Sequence, residues 1–291
     1  MGWALAVEEA GPAERQWTCT ILRDIGEEEF ARCTEAKARL LSWLTDQRMF
    51  QVLRLNYQEF EAAVMRYHQR LIEGKGDIDP QPAFFNLNRI VLNYLSMVRT
   101  FLDHTETRLK RRYGGESPRV IAFKEACASA YDAHFAYRFI YRLRNYCQHC
   151  GLPVKTDFLA EPHPETGTPE YKLFVECERD RLLSDWKGWG PVRQDIERCE
   201  PTFPIGPLLK GMLECLEEIN AALVEADRPE LEASARTLHD VLTPTKEQAG
   251  RQATHHSSRG RVEGRQPNPD LRLPPATHRS LLMSSQIPAA C

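Results

Sequence analysis

Apolar residues recur at the three-to-four-residue spacing of an amphipathic helix through almost all of residues 27–242. In the first such stretch, residues 28–45, Phe30, Cys33 and Leu44 fall on one side. Further stretches follow at 50–72, 83–112, 118–151, 179–187, 192–199, 208–226 and 229–242. Each helix of this kind buries its apolar stripe against its neighbours. The sequence therefore predicts a mainly α-helical bundle.

Glycine, serine and proline mark where these helices begin and end. Gly114 and Gly115 are expected to end the long central helix. Ser117 and Pro118 then suit the cap and first turn of the next helix, which either runs to Gly151 or breaks near Asp132.

A short β-hairpin is expected to follow that helix. Residues 152–159 and 170–177 are rich in Val, Phe, Tyr and Leu, and a Pro, Gly and Thr-rich connection separates them. Two such runs around a turn are typical of paired antiparallel strands. The hairpin would be an insertion within the helical bundle.

We interpret the chain as three parts: an N-terminal extension at 1–26, a helical domain at 27–242 and a disordered tail at 243–291. The tail has no helical period, and its Pro, Ser, Gly, Arg, Gln and His content is typical of disorder. It holds seven Lys or Arg against three acidic residues, whereas the whole chain has a net charge of -3. A basic tail on an acidic body could contact RNA, although a solvated extension explains it as well.

Composition narrows the classes of function. No segment has the roughly 18 consecutive apolar residues of a membrane span, and the first residues lack the basic flank of a signal peptide, so a cytoplasmic protein without membrane partners is expected. The nine cysteines are scattered. Cys147 and Cys150 invite a zinc interpretation, but a second ligand pair is missing from the helical region, so neither metal nor cofactor is expected. The phosphate-loop, HExxH and GxSxG motifs are also missing.

Residues 134–150, projected on one helix, have two contrasting halves. One half is apolar and is expected to pack into the core: Phe135, Ala136, Phe139, Ile140, Leu143, Tyr146, Cys147 and Cys150. The other half is polar and contains no acidic residue: His134, Tyr137, Arg138, Tyr141, Arg142, Arg144, Asn145, Gln148 and His149. A solvated helix face normally mixes both signs of charge, because opposite charges one turn apart stabilise it.

This polar face favours binding of nucleic acid. Arginines bind phosphates, aromatic rings stack on bases, and imidazoles exchange protons near neutral pH. The alternative is that acidic residues on other helices neutralise the arginines, for which Asp103, Glu125 and Asp132 are candidates. On that alternative the chain is a helical interaction scaffold.

The segment Arg144-Asn-Tyr-Cys-Gln-His149 has a polar residue after its arginine and a histidine five positions on. It resembles the RxxxxH motif of the HEPN superfamily, helical-bundle ribonucleases of toxin-antitoxin, abortive-infection and CRISPR-associated systems. The segment Phe139-Ile-Tyr-Arg-Leu143 before it and Gly151-Leu-Pro153 after it also resemble HEPN-like bacterial proteins. Arg99 and His104 have the same spacing without the adjacent amide, and Asp103 with His104 could approach the same cleft.

The resemblance implies metal-independent cleavage of RNA, in which the ribose 2'-OH attacks the adjacent phosphorus. His149 would transfer the proton, Arg144 would hold the phosphate, and Asn145 would orient one of them. Further contacts to substrate would come from Arg138, Tyr141, Arg142 and Gln148. Cys147 lies on the apolar half, so we do not expect it to act as a nucleophile.

Partners follow from the helix geometry and from the same resemblance. Arg144 and His149 point roughly 140° apart on one helix, so two motifs facing each other would form a compact site more easily. We therefore expect a homodimer that binds RNA or a nucleotide, with an antitoxin or a nucleotidyltransferase as a further partner. The competing hypothesis is a module that binds RNA or a nucleotide without cleaving it.

Overall fold

We describe the protein from a computed structural model, which covers residues 3–10, 17–74, 76, 79–165, 167–252 and 279–284. The predicted mainly α-helical class is confirmed. The helices are α1 Glu27–Glu73, α2 Gln81–Tyr113, α3 Pro118–Ala133, α4 Phe135–His149, α5 Arg179–Asp185, α6 Val192–Glu197 and α7 Gly206–Gln252. The strands are β1 Trp3–Ala10, β2 Trp17–Ile25, β3 Lys155–Pro162, β4 Pro169–Glu178, β5 Thr202–Pro204 and β6 Arg279–Ser284.

Helices α1 and α7 are continuous where the sequence suggested interruptions. Residues 46–49 weaken the apolar period, yet they contain no glycine or proline that would end α1. Pro229 lies inside α7, where proline removes one main-chain hydrogen bond. Buried side chains before and after it, such as Ile219 and Leu238, keep both halves of α7 packed. Burial of apolar side chains along the helix therefore outweighs a local helix-breaking residue or a local weakening of the apolar pattern.

The predicted ends of the middle helices are confirmed. Gly114 follows α2 with a positive φ of 88°, and its amide donates to the carbonyl of Lys110. The Ser117 hydroxyl accepts a 3.4 Å hydrogen bond from the amide of Val120 and so caps α3. Of the two alternatives for the next helix, the break near Asp132 is the one found: it occurs at His134, whose extended backbone separates α3 from α4.

The chain divides into two compact units, residues 1–45 with 227–291, and residues 46–226. In the first, β1 pairs antiparallel with β2 on one side and with β6 on the other. Its small core consists of Leu5, Ile25, Cys33, Ala36 and Leu238. The predicted N-terminal extension therefore contains two paired strands.

Two segments of the predicted tail form secondary structure in this first unit. Residues 243–252 continue α7, and residues 279–284 form β6. The apolar Leu281-Leu-Met283 run that the sequence shows within the tail lies in this strand, in register with Leu5 to Val7. The predicted disorder of residues 253–278 and 285–291 lies outside the described residues.

The second unit contains the large core, and α2 supplies many of its side chains. Fully buried Tyr94 donates from its hydroxyl to the carbonyl of Leu209 on α7, at 2.9 Å. Buried Asn88 donates to the carbonyl of Val154 at 3.0 Å and accepts from its amide at 3.2 Å. Because a lost partner would leave buried polar atoms unsatisfied, Asn88 fixes the chain leaving α4 against α2.

The predicted hairpin is confirmed and has one additional strand. Strand β3 pairs antiparallel with β4, and the short β5 pairs with the other edge of β4. The connection turns at Gly167, which has a positive φ of 68°. Among the helices described here, none has an apolar stretch long enough to span a bilayer.

Candidate functional site

Helix α4 carries every residue of the predicted site and packs against α2, α3 and α6. Its apolar half is buried largely as predicted, with Phe139, Ile140, Leu143 and Tyr146 fully inaccessible. This stripe holds the helix rigidly in the core. The backbone positions from which the polar side chains of α4 extend are consequently fixed.

Two details of the helical projection were wrong. Tyr137, placed on the polar half, is buried and only 2% exposed, with its ring edge-on to Tyr131 of α3 at 6.5 Å. Cys150, placed in the core, is exposed because α4 ends at His149 and its backbone leaves helical geometry. A helical projection treats the helix as isolated. In the structure, α3 covers the side of α4 that carries Tyr137, and the end of the helix leaves Cys150 exposed.

Arg138 is bound to an acidic residue on another helix. Its Nε lies 2.7 Å from Oδ2 of Asp195 on α6, and both side chains are only about one-fifth exposed. The pKa of Arg138 is raised, mainly by the hydrogen bond to Asp195. The alternative of internal neutralisation therefore holds for this arginine, through an acid that the sequence did not single out.

Tyr141 joins α4 to a pair of charged residues on α2. Its hydroxyl accepts a 2.5 Å hydrogen bond from Arg99, whose Nε lies 2.8 Å from Oδ2 of Asp103. His104 points elsewhere, with its Nδ1 3.7 Å from a carboxylate oxygen of Asp46 on α1. The sequence suggested that Asp103 and His104 approach the same cleft. Of these two, Asp103 is linked to α4 through Arg99.

Arg142 lies on the α6 side of the helix, one turn after Arg138. Its Nη2 lies 3.7 Å from the position that a Cβ would occupy on Gly190, in the loop before α6. Its Nε is buried without a hydrogen-bond partner among the described residues. A buried N–H group that has lost water without gaining an acceptor is unfavourable.

Arg144 points to the opposite side, towards α2. Its Nη1 donates to the amide oxygen of Gln148 and, at 3.4 Å, to that of Asn145. A small pocket of about 70 Å³ opens between the two helices, lined by Leu92, Leu95, Ser96, Arg144, Cys147 and Gln148. Neutral amides orient this guanidinium but leave its positive charge intact.

His149 is exposed on the last turn of α4. Buried Tyr146 anchors that turn to α5, because its hydroxyl donates to Oδ2 of Asp185 at 3.1 Å. Cys150 adds a 3.5 Å contact from its Sγ to the carbonyl of Asp185. The His149 imidazole itself contacts no hydrogen-bonding or ionic partner within the part of the chain that the structure describes.

Burial keeps the thiols of two cysteines near the site protonated. Burial raises the pKa of Cys147 to about 12, so its thiol stays protonated at neutral pH. Burial likewise raises the pKa of Cys177 on β4. Within the described ranges, no three His, Cys, Asp or Glu side chains are grouped closely enough to hold a metal ion.

The sequence did not single out Asp195 or Ser96. Asp195 lies about 50 positions after α4 in an ordinary polar stretch, and Ser96 is an exposed serine outside any motif. Only the packing of α6 and α2 against α4 places Asp195 beside Arg138 and Ser96 beside Arg144. Compared with family models, curated proteins and solved structures, the chain gives no significant match.

Proposed function

We propose that the protein binds single-stranded RNA at the Arg144 side of α4 and cleaves it without a metal, as the resemblance to the HEPN superfamily implies. One observation carries the proposal: the Arg144 guanidinium borders a pocket between α2 and α4, and its hydrogen-bond partners among the described residues are amide oxygens. Its charge is therefore available for a phosphate, in contrast to that of Arg138, which Asp195 neutralises.

In the proposed reaction the ribose 2'-oxygen attacks phosphorus and the bond from phosphorus to the 5'-oxygen breaks. His149 takes the proton from the 2'-hydroxyl or gives one to the leaving oxygen, and Arg144 stabilises charge on the phosphoryl oxygens. The products are a 2',3'-cyclic phosphate and a 5'-hydroxyl. Asn145 and Gln148 keep the guanidinium directed at the pocket.

The two principal residues would come from different copies of the chain. Arg144 borders α2, whereas His149 lies at the exposed helix end, roughly 140° around the axis. A two-fold dimer would place His149 of one copy opposite Arg144 of the other. The toxin or defence role of HEPN proteins, with an antitoxin or nucleotidyltransferase partner, is part of the same proposal.

The test is cleavage of single-stranded RNA by purified protein in EDTA, with the termini of the products identified by mass spectrometry. We expect Arg144→Ala and His149→Ala each to slow cleavage by roughly 10²-fold or more. His134→Ala, which removes an exposed histidine at the other end of α4, is the matched control and should cleave normally. Inactive wild-type protein, or unchanged cleavage in both site variants, contradicts the proposal.

A second candidate function is RNA or nucleotide binding without cleavage. It is favoured by the His149 imidazole, which has no partner among the described residues to orient it for proton transfer. On this hypothesis Arg144→Ala weakens binding and His149→Ala leaves binding unchanged. The cleavage assay separates it from the first candidate.

A further inference from the structure

A dense group of cations surrounds the junction between α2 and α3, outside the site described above. Residues 106–124 contain six Lys or Arg against two Glu, in a chain whose net charge is -3. We call this group the α2–α3 basic cluster; it consists of Arg108, Lys110, Arg111, Arg112, Arg119 and Lys124. It is a local positive surface on an acidic protein.

Three exposed cations of the cluster, Lys110, Arg111 and Lys124, have few acidic partners among the residues that the structure describes. Glu106 is shared between Lys110 at 2.8 Å and Lys124 at 3.6 Å. Glu116 is exposed in the turn, and Asp46 on α1 lies 2.7 Å from Arg108. Exposed Arg111 forms no hydrogen bond or ion pair with a residue that the structure describes. These three cations have one described acidic partner between them, Glu106, and therefore leave an excess of positive charge at the surface of the cluster.

Tyr113 orders two further cations of the cluster. The guanidinium carbons of Arg112 and Arg119 lie 5.1 and 4.9 Å from the centroid of its ring. Stacking restrains these long side chains before any ligand arrives, which reduces the entropy lost on binding. Helix-dipole effects favour cations at the end of α2 but disfavour Arg119 in the first turn of α3. The dipole of α2 alone does not account for the cluster.

An exposed ridge of α2 connects the cluster to the Arg144 pocket. Ser96 lines the pocket, and exposed Thr100, Thr107 and Arg111 follow along the same side of the helix. Ser96 and Arg111 are 15 positions apart on the helix, which corresponds to about 22 Å. The acidic Asp103 on this ridge is offset by its ion pair with Arg99. The ridge is thus polar and carries little net negative charge.

We propose that single-stranded RNA lies along α2, with one phosphate at Arg144 and the following nucleotides reaching the α2–α3 basic cluster. This inference rests on the proposed RNA-binding function and adds the direction and length of the bound strand. A regularly charged, flexible polymer matches two cationic sites about 22 Å apart better than a compact ligand does. Hydroxyl groups along the intervening ridge are compatible with a ribose-phosphate backbone.

The test measures binding of a uridine 12-mer and a uridine dinucleotide at several salt concentrations, by fluorescence anisotropy and calorimetry. The double variant Lys110→Ala and Arg111→Ala should weaken 12-mer binding roughly tenfold and lower the salt slope by about 1.4, which corresponds to two lost phosphate contacts. Dinucleotide binding, which reaches only the Arg144 pocket, should stay unchanged. The matched control is Arg66→Ala, an exposed arginine on α1 next to Tyr67, whose hydroxyl contacts the other end of α2.

The inference is overturned if the double variant binds the 12-mer as wild type does, or loses both ligands equally. It is also overturned if wild-type protein does not bind the 12-mer. Neither readout requires cleavage, so an inactive protein that still shows the length-dependent effect would contradict only the proposed catalysis. Loss of cleavage in His149→Ala combined with unaltered 12-mer affinity in the double variant would contradict only the proposed path of the strand.

Discussion

Arg138 on α4 and Asp195 on α6 form a partly buried ion pair, with 2.7 Å between Nε and Oδ2. The pair neutralises one of the four side chains that we expected to contact substrate. It also links α4 to α6. Arg144, on the opposite side, has amide partners instead. The two arginines therefore differ in function: the first stabilises the fold, and the second is the phosphate ligand in our proposal.

Replacing Asp195 with Ala should lower the free energy of unfolding by about 2 kcal/mol, because Arg138 would stay largely desolvated without its carboxylate. Denaturant unfolding monitored by circular dichroism measures this change. Glu197→Gln on the same helix removes the exposed pair with Arg193 and should cost less than about 0.5 kcal/mol. Equal effects of the two substitutions would show that burial of the Arg138 pair is unimportant.

Replacing Arg142 with Met should leave stability unchanged or raise it by about 1 kcal/mol, since the buried Nε has no partner to lose. The substitution keeps the aliphatic part of the side chain. Arg198→Met, at an exposed position after α6, is the control and should have almost no effect. A clear loss of stability in Arg142→Met would mean that the guanidinium is satisfied in solution. Weaker RNA binding by a stabilised variant would instead identify Arg142 as a substrate contact.

Replacing Gln148 with Glu should weaken RNA binding at least tenfold. The new carboxylate would occupy the position of the amide oxygen that now accepts from Arg144 and would neutralise the guanidinium. The unfolding free energy should change by less than about 0.5 kcal/mol, because the attraction between opposite charges one helical turn apart is offset by a negative charge in the last turn of α4. Affinity for the uridine 12-mer and denaturant unfolding provide the two readouts. Unchanged affinity would exclude Arg144 as the phosphate ligand.

Mixing the inactive variants Arg144→Ala and His149→Ala should restore about a quarter of the wild-type cleavage rate. In a two-fold dimer whose sites combine residues of both copies, half of the mixed population is heterodimeric, and one of its two sites is intact. Each variant incubated alone is the control. Failure to recover activity when subunit exchange is verified by native mass spectrometry would exclude a site shared between copies.

The hydroxyl of Tyr146 should make stability depend on pH in the alkaline range. Burial is the largest cause that raises the pKa of Tyr146, to about 12, whereas an unfolded tyrosine titrates near about 10. Unfolding therefore releases a proton between these values, and the free energy of unfolding falls as the pH rises. The stability contributed by this proton is fully present below about pH 10.

The matched variant is Tyr146→Phe, which should cost about 1 kcal/mol at neutral pH through loss of the hydrogen bond to Asp185. Between about pH 10 and 12, wild type should lose about 1.4 kcal/mol per pH unit relative to the variant, so that the variant becomes the more stable protein within about one pH unit. Denaturant unfolding at a series of pH values measures it. Parallel pH dependence of both proteins would refute the linkage.

Local sequence signals predicted much of the fold. Gly114, Ser117 and Gly151 mark helix boundaries because their effects on the backbone are local. Continuity through Pro229 was not predictable, because it depends on burial of residues far along α7. Pairing of residues 279–284 with β1 was likewise missed, since sequence periodicity does not indicate contacts between distant segments.

For the candidate site, the sequence by itself determined that α4 has a buried stripe and a polar face on which it places no acid of its own. That much follows from the helical period, which sets how residues on one helix are arranged. Only the tertiary structure decided that Asp195 neutralises Arg138, that Arg99 binds Tyr141 and that Arg144 borders a pocket with α2. Electrostatic pairing depends on distances of a few ångströms between separate helices, and those distances are set by packing of the whole core.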